Sequence, residues 1–264
     1  MSNLNREHGF TITELTIAML FISFLLLTIA MTTIQISKMY NEGVTTVEVN
    51  ASGREIADDF QRTLSDVAPF DPTPSTNFDP SGARKYIIQN GGGRFCTGRY
   101  TYVWNMADKI YQARQNLTAN YGSLANRYAG VFSPKDDDVI RLIRVFDSGG
   151  KLCQNNDDIK KEDSKELIGG GSGDIGLLDF RVDGVGDNSL LSQKLYKISY
   201  VVGTADRLDS SDQNYNTLVK EAASAETDNL AQFSCKPDSS EGANPQFCSV
   251  NRFSVLVRAG NDLN

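Results

Sequence analysis

The chain is nearly without histidine. Of its 264 residues only His8 can supply an imidazole, and it lies in the polar stretch that opens the sequence. One imidazole there leaves Ser–His–Asp and Cys–His nucleophile systems unbuilt and the usual catalytic zinc ligand sets incomplete. Cysteine is scarce too: Cys96, Cys153, Cys235 and Cys248, none of them in a C-x-x-C pair, so the spacing does not support a zinc site. Positive charge is outnumbered. Lys and Arg total 26 against 33 Asp and Glu, a net charge of −7, with the cations scattered. Without a basic stripe to displace counterions from phosphates, nucleic-acid binding is unsupported. The acidity suits keeping an exported domain in solution. Carboxylates are plentiful, but Asp/Glu pairs arise by chance on any acidic surface, and none stands out as a two-acid hydrolytic site. The expectation is a protein that is not an enzyme, with no catalytic residue, metal, cofactor or small-molecule substrate assigned.

What is present is unevenly spread. Hydrophobic residues make up 40% of the chain and charged ones 22%, ordinary values for a globular protein, yet the 23 residues from Leu15 to Ser37 carry no charge at all. As a helix, Phe10 to Met31 would span about 33 Å, enough to cross a hydrocarbon core of about 30 Å. A secretory signal would have a shorter apolar run, a stronger positive start and a small-residue cleavage site after it. A simple anchor would account for the length but not for Glu14, since a carboxylate in a membrane segment is costly and marks a function or a partner.

The string Gly9-Phe10-Thr11-Ile12-Thr13-Glu14 resembles the processing motif of type IV prepilins: Gly before the cut, Phe after it, Glu at the fifth mature position. The resemblance implies that a membrane-embedded prepilin peptidase cuts between Gly9 and Phe10 and N-methylates the new amine on Phe10. It implies that Glu14 neutralises the N-terminus of a neighbouring subunit, because either charge left alone in low dielectric is expensive. It further implies residues 1–9 as leader, 10–37 as transmembrane and filament-core helix, 38–68 as its amphipathic continuation, and 69–264 as the head.

The residues themselves agree with that layout. No proline precedes Pro69, so one helix can run from about Phe10 to about Asp66, with Gly43 and Gly53 as places where it can bend. Val49, Ile56, Phe60 and Leu64 fall near one face; Arg54, Glu55, Asp58, Asp59 and Arg62 read as polar faces. Residues 69–82 hold four of the seven prolines and end the helix. Strand candidates follow at 85–89, 99–104, 139–146, 177–185, 195–203 and 252–260; 139–146 is apolar on both sides with Arg141 and Arg144 interrupting, and the longer ones alternate with period 2. They align Tyr100, Tyr102 and Trp104; Leu178, Phe180 and Val182; Tyr196, Ile198, Tyr200 and Val202; and Phe253, Val255 and Val257. Residues 105–128 are ambiguous with a helical option, and 217–233 read as a modest helix. A long helix followed by antiparallel strands predicts an α+β fold with the helix packed across the sheet. This is also the pilin fold, and the C-terminal strands resemble those of larger minor pilins and J-type pseudopilins.

The glycine-rich stretches 90–94 and 169–173 lack the order of a phosphate loop and read as flexible loops. Asp136–Asp138 read as a solvated turn, and the stretch from Asp212 to Thr217 fails the calcium-loop pattern. An even cysteine count behind an export-type N-terminus points to two disulfides. Three connectivities exist; Cys96–Cys153 with Cys235–Cys248 is favoured, the latter closing a short loop.

The functional expectation is a structural subunit, a minor pilin that enters a type IV pilus at or near its tip. Its partners would be the prepilin peptidase, major and minor pilins, the assembly platform in the cytoplasmic membrane, and membrane lipid before assembly. It would sit in that membrane with the head outside, then in the extracellular pilus. The alternatives are a type II secretion minor pseudopilin and a membrane-tethered binding domain that never polymerises.

Overall fold

The computed structural model describes residues 11–89, 91–106, 126, 128, 140–155, 159–168, 175–186, 194–204, 218–221, 230, 232–237, 239–240 and 243–260. Its first element is one helix, α1, Ile12–Leu64, 53 residues and so about 80 Å long. It runs unbroken through Gly43 and Gly53 and stops at Ser65, shortly before the proline-rich stretch. In chain order the strands are β1 (Pro74–Ser75), β2 (Arg84–Gln89), β3 (Gly92–Thr97), β4 (Tyr100–Asn105), β5 (Leu142–Phe146), β6 (Ser164–Ile168), β7 (Ile175–Val185), β8 (Lys194–Thr204), β9 (Leu218–Glu221), β10 (Gln232–Cys235) and β11 (Val250–Ala259). A four-residue helix, α2, Lys151–Gln154, follows β5.

The layout is α+β. One sheet has the order β1-β2-β3-β4-β5-β6, a second β11-β8-β7, and β9 pairs with β10 apart from both. Every pairing is antiparallel except the short β1–β2 contact. Three bonds tie the larger sheets together. Met106 bridges Leu177, Arg141 Nη1 donates to the Ile175 carbonyl at 2.6 Å, and Tyr86 Oη donates to the Phe180 carbonyl at 2.7 Å. The buried part of α1 packs against β11, β8 and β6, so it lies against an edge strand of each sheet.

Phe60 sits at the centre of this arrangement. Its ring is 4.5 Å from Tyr102, 5.7 Å from Phe180 and 6.0 Å from Tyr200, placing helix and both sheets around one aromatic cluster. The stripe Val49, Ile56, Phe60 and Leu64 is buried as its spacing predicts, and Tyr196, Ile198, Tyr200 and Val202 share the same core. The tyrosine hydroxyls find backbone partners: Tyr200 Oη donates to the Gly53 carbonyl at 2.6 Å, and Tyr196 Oη to that of Phe70 at 2.6 Å.

Several expectations need correction. The stretch 217–233 contains strand β9 and the start of β10, not a helix. The glycines at 92 and 93 belong to β3, not to a flexible loop, and every residue of β3 is buried. Gly93 lies opposite Trp104, and a Cβ there would meet the indole at 2.2 Å, so glycine makes room for the ring. Strand β3 is covered on its second face as well. Arg94 Nε donates to Asn126 Oδ1 at 2.8 Å and Nη1 to the Leu152 carbonyl at 2.7 Å, while Cys96 is bonded to Cys153. Strand β6 carried no period-2 signal and went unpredicted. In β7 a bulge between Leu177 and Asp179 shifts the register, so Leu177 rather than Leu178 enters the core beside Phe180 and Val182. Gly53 is a point of close approach. A Cβ there would fall 2.1–2.6 Å from the Phe253 ring. Most of 105–128, with 136–138, 169–173 and 212–217, lies outside the described residues.

Two outcomes are expected of the full chain in detergent micelles. Gly53→Val should lower stability by about 1–3 kcal/mol through overpacking against Phe253, read as a lower thermal midpoint by circular dichroism. Burial also raises the hydroxyl pKa values of Tyr86, Tyr102 and Tyr200, with the nearby charges of Asp179, Asp59 and Asp58 adding to it. The folded chain keeps these protons when the unfolded chain starts to lose them near pH 10. Their stabilisation is therefore complete below about pH 10 and falls as pH rises past it. The thermal midpoint should drop above that pH, and less steeply in Tyr200→Phe.

Candidate assembly surface on the N-terminal helix

From Thr11 to Tyr40 every side chain of the helical segment is exposed. This part of α1 is long and apolar enough to cross a membrane. Five of its hydroxyls bond back to the helix: Thr16 donates to the Thr13 carbonyl at 2.9 Å, Ser23 to Met19 at 2.8 Å, Thr28 to Leu25 at 2.8 Å, Thr32 to Thr28 at 2.7 Å and Thr33 to Ile29 at 2.8 Å. Such back-bonding lets polar residues leave water without orphaned donors.

Glu14 is the acid of this surface, and its carboxylate closes the helix start. Glu14 Oε2 accepts from the Thr11 backbone N–H at 2.9 Å and from Thr11 Oγ1 at 2.8 Å, while the Glu14 N–H donates back to Thr11 Oγ1 at 3.3 Å. This is a capping box, reciprocal satisfaction of two N-terminal donors. Both bonds to the carboxylate fall on Oε2; Oε1 has no partner among the described residues. Gly9 and Phe10, expected as cleavage and methylation sites, lie outside the described residues.

A second acid of α1 behaves oppositely. Asp59 is fully buried, not on a polar face. Its Oδ1 accepts from Arg144 Nη1 at 2.7 Å and lies 3.3 Å from Arg62 Nη2 and 3.6 Å from Lys165 Nζ. Its Oδ2 accepts from Tyr102 Oη at 2.9 Å, and Tyr102 also contacts Thr63 Oγ1. Lys165 reaches on to Glu55 at 3.4 Å. The carboxylate thus ties α1 to β4, β5 and β6 with charge-assisted bonds. The sequence carried a signal for it: Ile56, Asp59, Phe60 and Thr63 share one helical spacing, so an acid there belongs to the buried stripe.

Both cysteine pairs are joined as favoured, Cys96 to Cys153 and Cys235 to Cys248. The second closes a loop whose short turn, Pro245–Phe247, sits on α1, where Thr45 Oγ1 lies 3.4 Å from the Gln246 carbonyl. A cleft of about 420 Å³ between β2 and β7 is lined by Pro72, Pro74, Ile88, Arg181 and Asp183 among others; none of the residues expected to carry function lines it. Among the described residues no group of three or more His, Cys, Asp or Glu is placed to hold a metal. The chain matches no known protein family, no curated protein and no solved structure among those compared.

Removing the buried acid tests the tie. Asp59→Ala leaves Arg144 and Tyr102 without their partner and should cost about 3–5 kcal/mol. Asp58→Ala, one residue away on the exposed face, should stay within about 0.5 kcal/mol of wild type. Thermal unfolding of the two variants, compared side by side, reads the difference.

Proposed function

We propose that the chain is a pilin-like structural subunit: held in a membrane by the first half of α1, trimmed between Gly9 and Phe10, methylated at Phe10, and assembled into a type IV pilus-like filament through that same half-helix. The observation that carries this reading is the division of α1. One unbroken helix presents an apolar, fully exposed half bearing Glu14, then a half buried in an α+β head. An anchor needs only the apolar length. Helices that leave lipid to pack on one another also need a way to handle the charge of each chain start, and Glu14, whose Oε1 has no partner among the described residues, is the group suited to take a neighbour's ammonium. The head's α+β layout, helix against mostly antiparallel strands, supports the reading, being the layout that the prepilin resemblance implies. The minor-pilin role accounts for the head without calling on a catalytic centre.

Intact mass and N-terminal peptide analysis of the native protein test the reading. The expected mature chain begins at a methylated Phe10, and Glu14→Ala is processed and membrane-inserted but recovered at least about tenfold less in sheared filaments, the loss expected when a buried charge loses its partner. Filaments containing chains that retain residues 1–9, or normal incorporation of Glu14→Ala, would overturn it.

A further inference from the structure

Phe247 has an aromatic ring with no place in the core. It ends the turn Pro245–Phe247 and is 51% exposed. The loop that carries it, Lys236 to Gln246, holds no large apolar residue, so the ring cannot bury itself among its own neighbours in sequence. The Cys235–Cys248 bond closes that loop. Its turn packs against α1, with the Gln246 carbonyl 3.4 Å from Thr45 Oγ1. Phe247 is thus borne on a closed loop fixed to the helix.

Height along α1 gives the ring its meaning. Every described residue of the chain up to Tyr40 is exposed. Asn41 and Thr45, one turn apart on one face, are the first of α1 to lose exposure. Among the described residues, the foot of the head therefore lies about 6–12 Å along the helix from Ser37, where the uncharged run ends. A bilayer about 40–45 Å thick with about 30 Å of hydrocarbon has polar layers roughly 5–7 Å deep. A helix that crosses with Leu15–Ser37 in the hydrocarbon sets the foot of the head in or against such a layer. Exposed Tyr40 marks the same height, and aromatic rings are favoured there. Lipid is the apolar partner that this height supplies without any further chain.

We propose that Phe247 is a membrane-contact residue: its ring enters the boundary between headgroups and acyl chains, and the head touches the bilayer at a second point beside α1. The contact requires the membrane-spanning role proposed above for the first half of α1. A lone spanning helix can lean in any direction relative to the faces of its head. A ring fixed on one side of it favours the lean that brings that side to the lipid, so the head is presented with one tilt.

The test uses the full chain in phosphatidylcholine vesicles, with lipids brominated either near the headgroup end or near the far end of the acyl chains. Phe247→Trp, Phe24→Trp and Leu256→Trp are compared after subtraction of the wild-type emission. Trp104, the one native tryptophan, is buried in the aromatic core, and its constant emission shows that each variant is folded. Phe24 lies within the uncharged run and reports the span. Leu256 is exposed on β11 beyond Phe253, which meets the helix at Gly53, about 24 Å from Ser37, and it reports water. The tryptophan at 247 should lose most of its emission to bromines near the headgroups and less to those at mid-bilayer, while the one at 256 keeps its emission with both. Quenching at 247 no greater than at 256, or stronger from mid-bilayer bromines, overturns the contact alone when Phe24→Trp is quenched at mid-bilayer. An unquenched Phe24→Trp overturns the spanning role, and the contact with it.

Discussion

The burial of α1 against two edge strands is the constraint from which the rest of the molecule follows. A helix satisfies its own backbone, so its exposed half needs nothing but an apolar surround for its side chains. The other half has to complete a core that neither sheet closes alone. Strands β11 and β6 end their sheets, and α1 runs against both, with Phe60 reaching Tyr102 on one side and Tyr200 on the other. Edge strands left bare invite pairing with other chains; a helix laid against them is one way to blunt them. Gly53 gives up a side chain so that Phe253 and the helix backbone can approach, and the Tyr200 hydroxyl donates to the Gly53 carbonyl.

The two acids Glu14 and Asp59 show what the same group does in the two halves. Asp59 is desolvated once, on folding, and receives Arg62 from its own helix and Arg144, Lys165 and a tyrosine hydroxyl from the sheet. Its charge is settled inside one molecule, and the outcome is register: Arg144 and Tyr102 meet the carboxylate only when α1 lies at one height. Glu14 receives hydrogen bonds from Thr11 and, among the described residues, meets no cation. Hydrogen bonds lower the cost of a carboxylate in lipid without cancelling its charge. The two carboxylates thus differ in what the folded chain supplies to each: cations and a hydroxyl for Asp59, a capping box for Glu14.

Much of this was legible in the chain itself. The proline-free opening, the stripe from Val49 to Leu64 and the alternation in β8 and β11 each reflect one buried face against one wet face, the condition under which periodicity is informative. The failures share a physical cause. Strand β3 is covered on both faces, by the aromatic core and by the Arg94–Asn126 and Cys96–Cys153 layer, so its sequence need not alternate, and its glycines answer to Trp104 across the sheet rather than to any local rule. Asp59 looked solvated because acids usually are; its partners come from residues 102, 144 and 165, which only the folded chain brings together. The bulge in β7 moved Leu177 inward for a reason of sheet geometry that no alternation count contains. The short strands β9 and β10 lack the length for a period to show.

The disulfide-closed loop adds a last step. The Cys235–Cys248 bond holds the turn Pro245–Phe247 onto α1 near Thr45, just before the first fully buried position, Val49. The bond closes the loop without help from core packing, which the few apolar residues between Lys236 and Phe247 do not provide. It thus fixes the point on α1 where the exposed half gives way to the half buried in the head, and β11 begins two residues after Cys248. Helix, collar and edge strand are therefore held in one register over the same two turns. The loop at Thr45, the buried Val49 and the close approach of Phe253 to Gly53 follow one another along α1 and make its buried half one piece with the head.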